Sequence, residues 1–199
     1  MKKSLLCMMD KNRCIELKDN RIIFNNNDLF YEKIFGKTLI IGHNSWMALS
    51  RISMSNSMNI IVTHNVDIVS KKISILLGYQ RITYFNNDRL SSYAILGDDR
   101  EKIIITGSLS LAFSLAKKYN LLNDVNETIV LGGYSVFKES IKYVDTMYLM
   151  YSDDIYNGKL FFPEFSPNDW IVTDSKKTNF KRDSEIITLE RKNNVKCEI

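Results

Sequence analysis

Histidine and cysteine are scarce in this chain, with two and three copies among 199 residues. Cys7, Cys14 and Cys197 share no metal-ligand spacing and are odd in number, which argues against a zinc site and against a disulfide framework. They read as reduced thiols of a cytosolic compartment. Long apolar runs are missing as well. The first, after Met1-Lys2-Lys3, stops at Asp10, too short for a signal peptide or a membrane span. No block of like charge occurs: the formal +4 comes from scattered Lys and Arg, which gives nucleic-acid binding little support. With two prolines, no Ser-rich linker and no internal repeat, the chain is expected to be a single domain over residues 1–199. These absences predict a cytoplasmic monomer with a small-molecule partner, no nucleic acid and no membrane.

What is present is a rhythm of short apolar runs. Ser4–Met9, Thr38–Ile41, Asn59–Val62, Lys102–Ile105, Thr128–Leu131, Thr146–Tyr151 and Ile186–Leu189 each suit a buried strand. Helical spacing follows several of them: Trp46, Leu49 and Ile52 after the second, and Ser108 to about Tyr119 after the fourth. Asp28–Lys33 opens another helix, with Asn27 as its N-cap and an acid in its first turn. This alternation predicts an α/β fold, a central mostly parallel β-sheet flanked by helices. Ligands of such sheets sit beyond the carboxyl ends of the strands. Gly42 and the pair Gly132-Gly133 both fall there. Asp10–Asn27 reads as an irregular polar loop. Residues from about Val66 to Arg100 do not keep the rhythm and read as an insertion at about 66–100.

At Gly132-Gly133 a buried strand breaks into a tight turn and then a helix. Two adjacent glycines let backbone approach a ligand where a Cβ would clash. Amides opening a helix can receive an anion such as a phosphate, although an ordinary strand-to-helix turn has the same local sequence.

The order of elements carries more than any one of them. Strand, polar loop and an acid opening a helix come first, then strand-Gly42-His43-Asn44-Ser45-Trp46, a long gap, and strand-Gly132-Gly133-helix. Gly158-Lys159-Leu160-Phe161-Phe162-Pro163, Asp169-Trp170 and Leu189-Glu190-Arg191-Lys192 follow. Together these motifs resemble the dihydrofolate reductase family over nearly the whole chain, and imply a dihydrofolate reductase-like fold. The resemblance implies NADPH-dependent reduction of 7,8-dihydrofolate to tetrahydrofolate, by hydride transfer to pterin C6. It makes Asp28 the catalytic carboxylate, buried and accepting two parallel hydrogen bonds from the pterin. Cys7, Met8, Phe24, Phe30, Tyr31 and Leu49 would line the folate site. Ile15, Gly42, His43, Asn44, Ser45, Thr63 and His64 would contact the cofactor, with Leu131, Gly132, Gly133, Tyr134, Ser135, Val136 and Phe137 around a cis Gly-Gly peptide.

Departures from the family pattern fall at the site. Glu16 stands where the loop that gates the site has a glycine. His43 and Ser135 occupy positions that often carry arginine, leaving NADPH against NADH open. Asn56-Ser57-Met58 lacks the arginine expected for the folate carboxylate, with Arg51 a neighbouring substitute. Met150 replaces a threonine and Lys159 an acid. Two alternatives stay open beside the reductase: a reductase of the same fold for another pteridine or pyrimidine, and a catalytically weak relative with a binding or structural role.

Overall fold

The computed structural model describes residues 1–19, 21, 23, 28–49, 57–85, 88, 91–97, 102–178 and 184–192. It has an α/β fold in which parallel strands lie centrally and antiparallel strands outside. In chain order, β1 (Lys2–Asp10), β2 (Cys14–Leu17) and α1 (Asp28–Ile34) lead to β3 (Thr38–Gly42), α2 (His43–Leu49) and β4 (Met58–Val62). Then come α3 (Val66–Leu77), β5 (Ile82–Phe85), β6 (Tyr93–Gly97), β7 (Lys102–Thr106) and α4 (Leu109–Asn123). The chain continues through β8 (Glu127–Gly132), α5 (Tyr134–Ser140), β9 (Thr146–Ser152), β10 (Gly158–Phe161), β11 (Trp170–Thr178) and β12 (Ser184–Arg191). Contacts group these elements into two compact units: Met1 with Ile34–Thr128, and Lys2–Lys33 with Ile129–Ile199.

In the first unit β3, β4 and β7 run parallel, aligning Gly42 with Val62 and Val62 with Thr106. Continuous apolar runs form these strands because Leu39, Ile40, Ile41, Ile60, Ile61 and Ile105 are all fully buried. Beyond β7 the sheet continues antiparallel through β6 to β5. Residues 66–97, which break the strand-helix rhythm, thus contain a helix and two strands. Val66, Val69 and Ile73 form the buried face of α3, and Gly78 ends it in the left-handed region at φ 73°. Ser108 caps α4 by accepting the Leu111 amide at 3.3 Å. On the inner face of α4, Asn120 accepts the Thr38 hydroxyl and donates to Thr128 Oγ1, so its buried amide is satisfied.

The second unit has the order β11-β12-β9-β1, with β8 beside β1. β1 pairs parallel with β9, while β12 is antiparallel to β9 and to β11. β2 and β10 form a separate antiparallel pair. The polar segment after Asp10 is therefore not simply a loop. Cys14–Leu17 is a strand, because residues 158–161 give its backbone a distant partner that local sequence cannot reveal. β11 has the opposite problem: Ile171–Lys177 is exposed along both faces, so it lacks the alternation that marks a half-buried strand. Asn27 and Ile52 lie outside the described residues. No helix among the described residues is long and apolar enough to cross a membrane.

Candidate active site

In the second unit, β1 supplies Cys7, buried opposite Leu149 of β9, and Met8, half-buried opposite Met150. Burial pushes the Cys7 thiol well above its ordinary pKa, so it remains a protonated apolar group. Cys14 is also a free buried thiol raised chiefly by burial and then by the Asp10 charge, which makes it a poor nucleophile. On α1, Phe30 is buried and its ring meets the partly exposed Tyr31 edge-on at 5.8 Å.

Asp28 is the first residue of α1, as its spacing predicts, but it is exposed rather than buried. Phe24, the expected aromatic neighbour, lies outside the described residues.

The segment around Ile15 is held from both sides. Buried Asp10 accepts the Cys14 amide on one carboxylate oxygen at 2.8 Å and the Tyr156 amide on the other at 2.9 Å. Glu16 faces Lys159 at 3.4 Å, so two separate departures from the family pattern are partners across β2 and β10. Lys159 is half exposed, and such pairs contribute under about 1 kcal/mol. The buried Asp10 hydrogen bonds therefore hold this segment more strongly. Asp10→Ala would orphan two amides and is expected to destabilise the protein by on the order of 2–4 kcal/mol, read from a urea unfolding midpoint at constant m-value.

At the end of β8, Gly132 adopts φ +101° and the Gly132-Gly133 peptide is cis. A Cβ on Gly132 would lie 2.6 Å from Cε2 and Cζ of Phe137, so the glycine makes room for that ring. The Phe137 amide in turn donates to Gly133 O at 2.8 Å. Leu131, Val136 and Phe137 are buried, while Tyr134 and Ser135 are exposed at the start of α5. Phe162, just past β10, meets the Phe137 ring at 5.3 Å.

In the first unit the carboxyl ends of β3, β4 and β7 bring Gly42 and Thr63 to one rim, the Thr63 amide donating to Thr106 O at 3.0 Å. His43 is half-buried, Asn44 and His64 are exposed, and Ser45 and Leu49 are buried. The buried Nε2 of His43 has no hydrogen-bond partner among the described residues. Burial, and then the Lys72 charge, hold its pKa below the ordinary histidine value. The unfolded chain therefore takes up this proton first, and the His43 contribution to stability is lost as pH falls below about 6.5 toward the folded-state pKa. A melting-temperature series should fall less steeply on the acid side in His43→Gln than in the parent. Ser57, at the position lacking an arginine, donates to Ile34 O at 2.7 Å instead of facing a ligand. Arg51 lies outside the described residues. No metal-binding cluster of His, Cys, Asp and Glu occurs among the described residues.

Sequence reasoning passed over Asp10 and Arg13. Asp10 carried a signal, an acid ending an apolar strand before a turn; Arg13 carried none, since its partners are 149 and 150 residues away.

The family pattern described as dihydrofolate reductase matches residues 98–191. A curated dihydrofolate reductase of Buchnera aphidicola subsp. Acyrthosiphon pisum (strain APS) is 24% identical over 180 residues, covering 89% of each chain. That of Bacillus subtilis (strain 168) is 24% identical over 201 residues, covering 98% of this chain and 97% of its own. The solved dihydrofolate reductase from Enterococcus faecalis, complexed with NADP(H) and RAB-propyl, superimposes with TM-score 0.70 at 20% identity, over 96% of this chain and 97% of its own. In fold, in the pattern of residues 98–191 and along nearly full-length relatives, this chain is similar to dihydrofolate reductases.

Proposed function

We propose that the protein reduces 7,8-dihydrofolate to 5,6,7,8-tetrahydrofolate with NADPH in the cytoplasm, as a single domain whose residues 66–100 are an insertion. The observation that carries this reading is the β8–α5 turn. Gly132 opens at φ +101°, and the ring of Phe137 lies against its bare Cα. Such a turn presents backbone rather than side chain, which fits a flat nicotinamide ring and a pyrophosphate. The unpartnered Nε2 of His43 fits a phosphate oxygen as a neutral donor. NADPH, when bound, supplies the hydride.

The remaining work falls to the chain. Leu131, Gly132, Gly133, Tyr134, Ser135, Val136 and Phe137 hold the nicotinamide end, and Ile15 closes over it. Gly42, His43, Asn44, Ser45, Thr63 and His64 hold the adenosine and phosphate end. Cys7, Met8, Phe24, Phe30, Tyr31 and Leu49 present apolar and aromatic surface to the folate. Asp28 accepts the amino group and ring N–H of the pterin, which fixes the ring face and favours protonation at N5. Because Asp28 is exposed, its desolvation must come from the substrate itself.

The test is spectroscopic. Purified protein, NADPH and dihydrofolate are mixed and absorbance loss is followed. Stoichiometric oxidation of NADPH supports the reading. No turnover, while NADPH still raises the melting temperature, removes it in favour of another substrate. The Ser57 side chain bonded to Ile34 O favours one second reading, a reductase of a pteridine without the glutamate tail, because Ser57 offers no guanidinium to that carboxylate. Turnover of a free dihydropteridine at a rate equal to that of dihydrofolate would support it.

A further inference from the structure

β10 ends at Phe161 because Pro163 follows and cannot donate to a ladder. The carbonyls of Phe162 and Pro163 follow the strand end, beside a Phe162 ring that is 2% exposed. Arg13 takes both. Its Nη2 donates to Phe162 O at 2.8 Å and to Pro163 O at 2.6 Å. Its own carbonyl accepts the Phe162 amide at 2.7 Å, so one residue grips the Phe162 peptide from both sides. Its guanidinium also lies 6.0 Å from the centre of the Phe165 ring, which meets Phe162 edge-on at 6.1 Å.

Arg13 can do this because of where its turn puts it. The Arg13 amide bonds Asp10 O at 2.9 Å, and the residue adopts φ 66°, left-handed for a non-glycine. Such a conformation is uncommon and persists where surrounding bonds determine it. The two Asp10 hydrogen bonds and the guanidinium grip are those bonds. Phe162 then passes the constraint on: its ring contacts Phe137 at 5.3 Å, and Phe137 occupies the space over Gly132.

We propose that Arg13 is a positioning residue for hydride transfer: by clamping the Phe162 peptide it fixes the Phe137 ring against the Gly132 turn. The inference rests on the reductase reading above. A displaced Phe137 would leave the nicotinamide face less defined, and misplacement of about 1 Å at a reacting centre costs up to roughly a hundredfold in rate.

Arg13→Met keeps the stem and removes the donors, whereas Arg13→Lys restores one cationic group able to donate to both carbonyls. Arg13→Met is expected to lower kcat by about tenfold with little change in KM for dihydrofolate, and Arg13→Lys to recover most of the loss. In a Phe162→Leu background the Arg13→Met change should have much less effect, since the linking ring is gone. Hydrogen exchange gives a readout independent of turnover: the amides of Ser135–Phe137 should exchange several-fold faster in Arg13→Met. A folded Arg13→Met protein with unchanged kcat and unchanged exchange overturns the proposal, as does a loss confined to melting temperature. Faster exchange in Arg13→Met, when the parent itself is inactive on dihydrofolate, overturns the catalytic role and the reductase reading together, leaving only the mechanical link.

Discussion

Asp28→Asn is expected to lower turnover of dihydrofolate by roughly 10²- to 10⁴-fold, the range for removing a positioned acid–base group. The substitution keeps size and shape but replaces an acceptor-only carboxylate with an amide that offers one acceptor and two donors. One of the two parallel pterin hydrogen bonds then becomes a donor–donor clash. Affinity for NADPH should be unchanged, because the proposed cofactor residues lie on other segments. Stability should move little, since an acid at an exposed helix start contributes only about 0.3–1 kcal/mol through the dipole. The decisive measurement is single-turnover NADPH oxidation beside a cofactor titration. If the variant turns over like the parent, Asp28 loses its assigned role and another carboxylate must be sought.

Gly132→Ala carries the second large effect, and it acts on fold and function together. At φ +101° an L side chain is strained, at a cost of about 1–3 kcal/mol. The new Cβ would also lie 2.6 Å from the Phe137 ring, and overpacking of that kind adds about 1–3 kcal/mol unless the ring withdraws. Loss of several kcal/mol in chemical denaturation is the expected result, with NADPH no longer raising the melting temperature. Pairing the change with Phe137→Leu separates the causes: the packing part should be recovered and the backbone part should not. Full recovery in the double variant would mean that the backbone tolerates alanine and only the ring objected.

How much of this was legible beforehand depends on where each residue's partners come from. Strands such as Thr38–Ile41 were readable because full burial on both faces forces a continuous apolar run. α3 was readable in principle: Val66, Val69 and Ile73 keep helical spacing and Gly78 punctuates the end, but interspersed Ser and Lys obscured the stripe. β2 was not readable, since Cys-Ile-Glu-Leu is a strand only because β10 lies beside it. At the site, the glycine turn and Asp28 stood out from chain order alone. The exposure of Asp28 did not, because burial depends on neighbours that a linear pattern omits. Glu16 and Lys159 show the same limit. Taken separately each is a departure from the family pattern; across β2 and β10 they are partners in one ion pair.

The division into units has a consequence for how the molecule comes into being. One unit is almost a single uninterrupted stretch, Ile34–Thr128, and can collapse as soon as that stretch has left the ribosome. The other joins Lys2–Lys33 to Ile129–Ile199, and its Asp10 bond to the Tyr156 amide spans 146 residues. The apolar strand Ser4–Met9 therefore emerges well before the β9 strand that it pairs with. During synthesis it is an unpaired hydrophobic edge, and that interval is where chaperone dependence and aggregation of the nascent chain should concentrate.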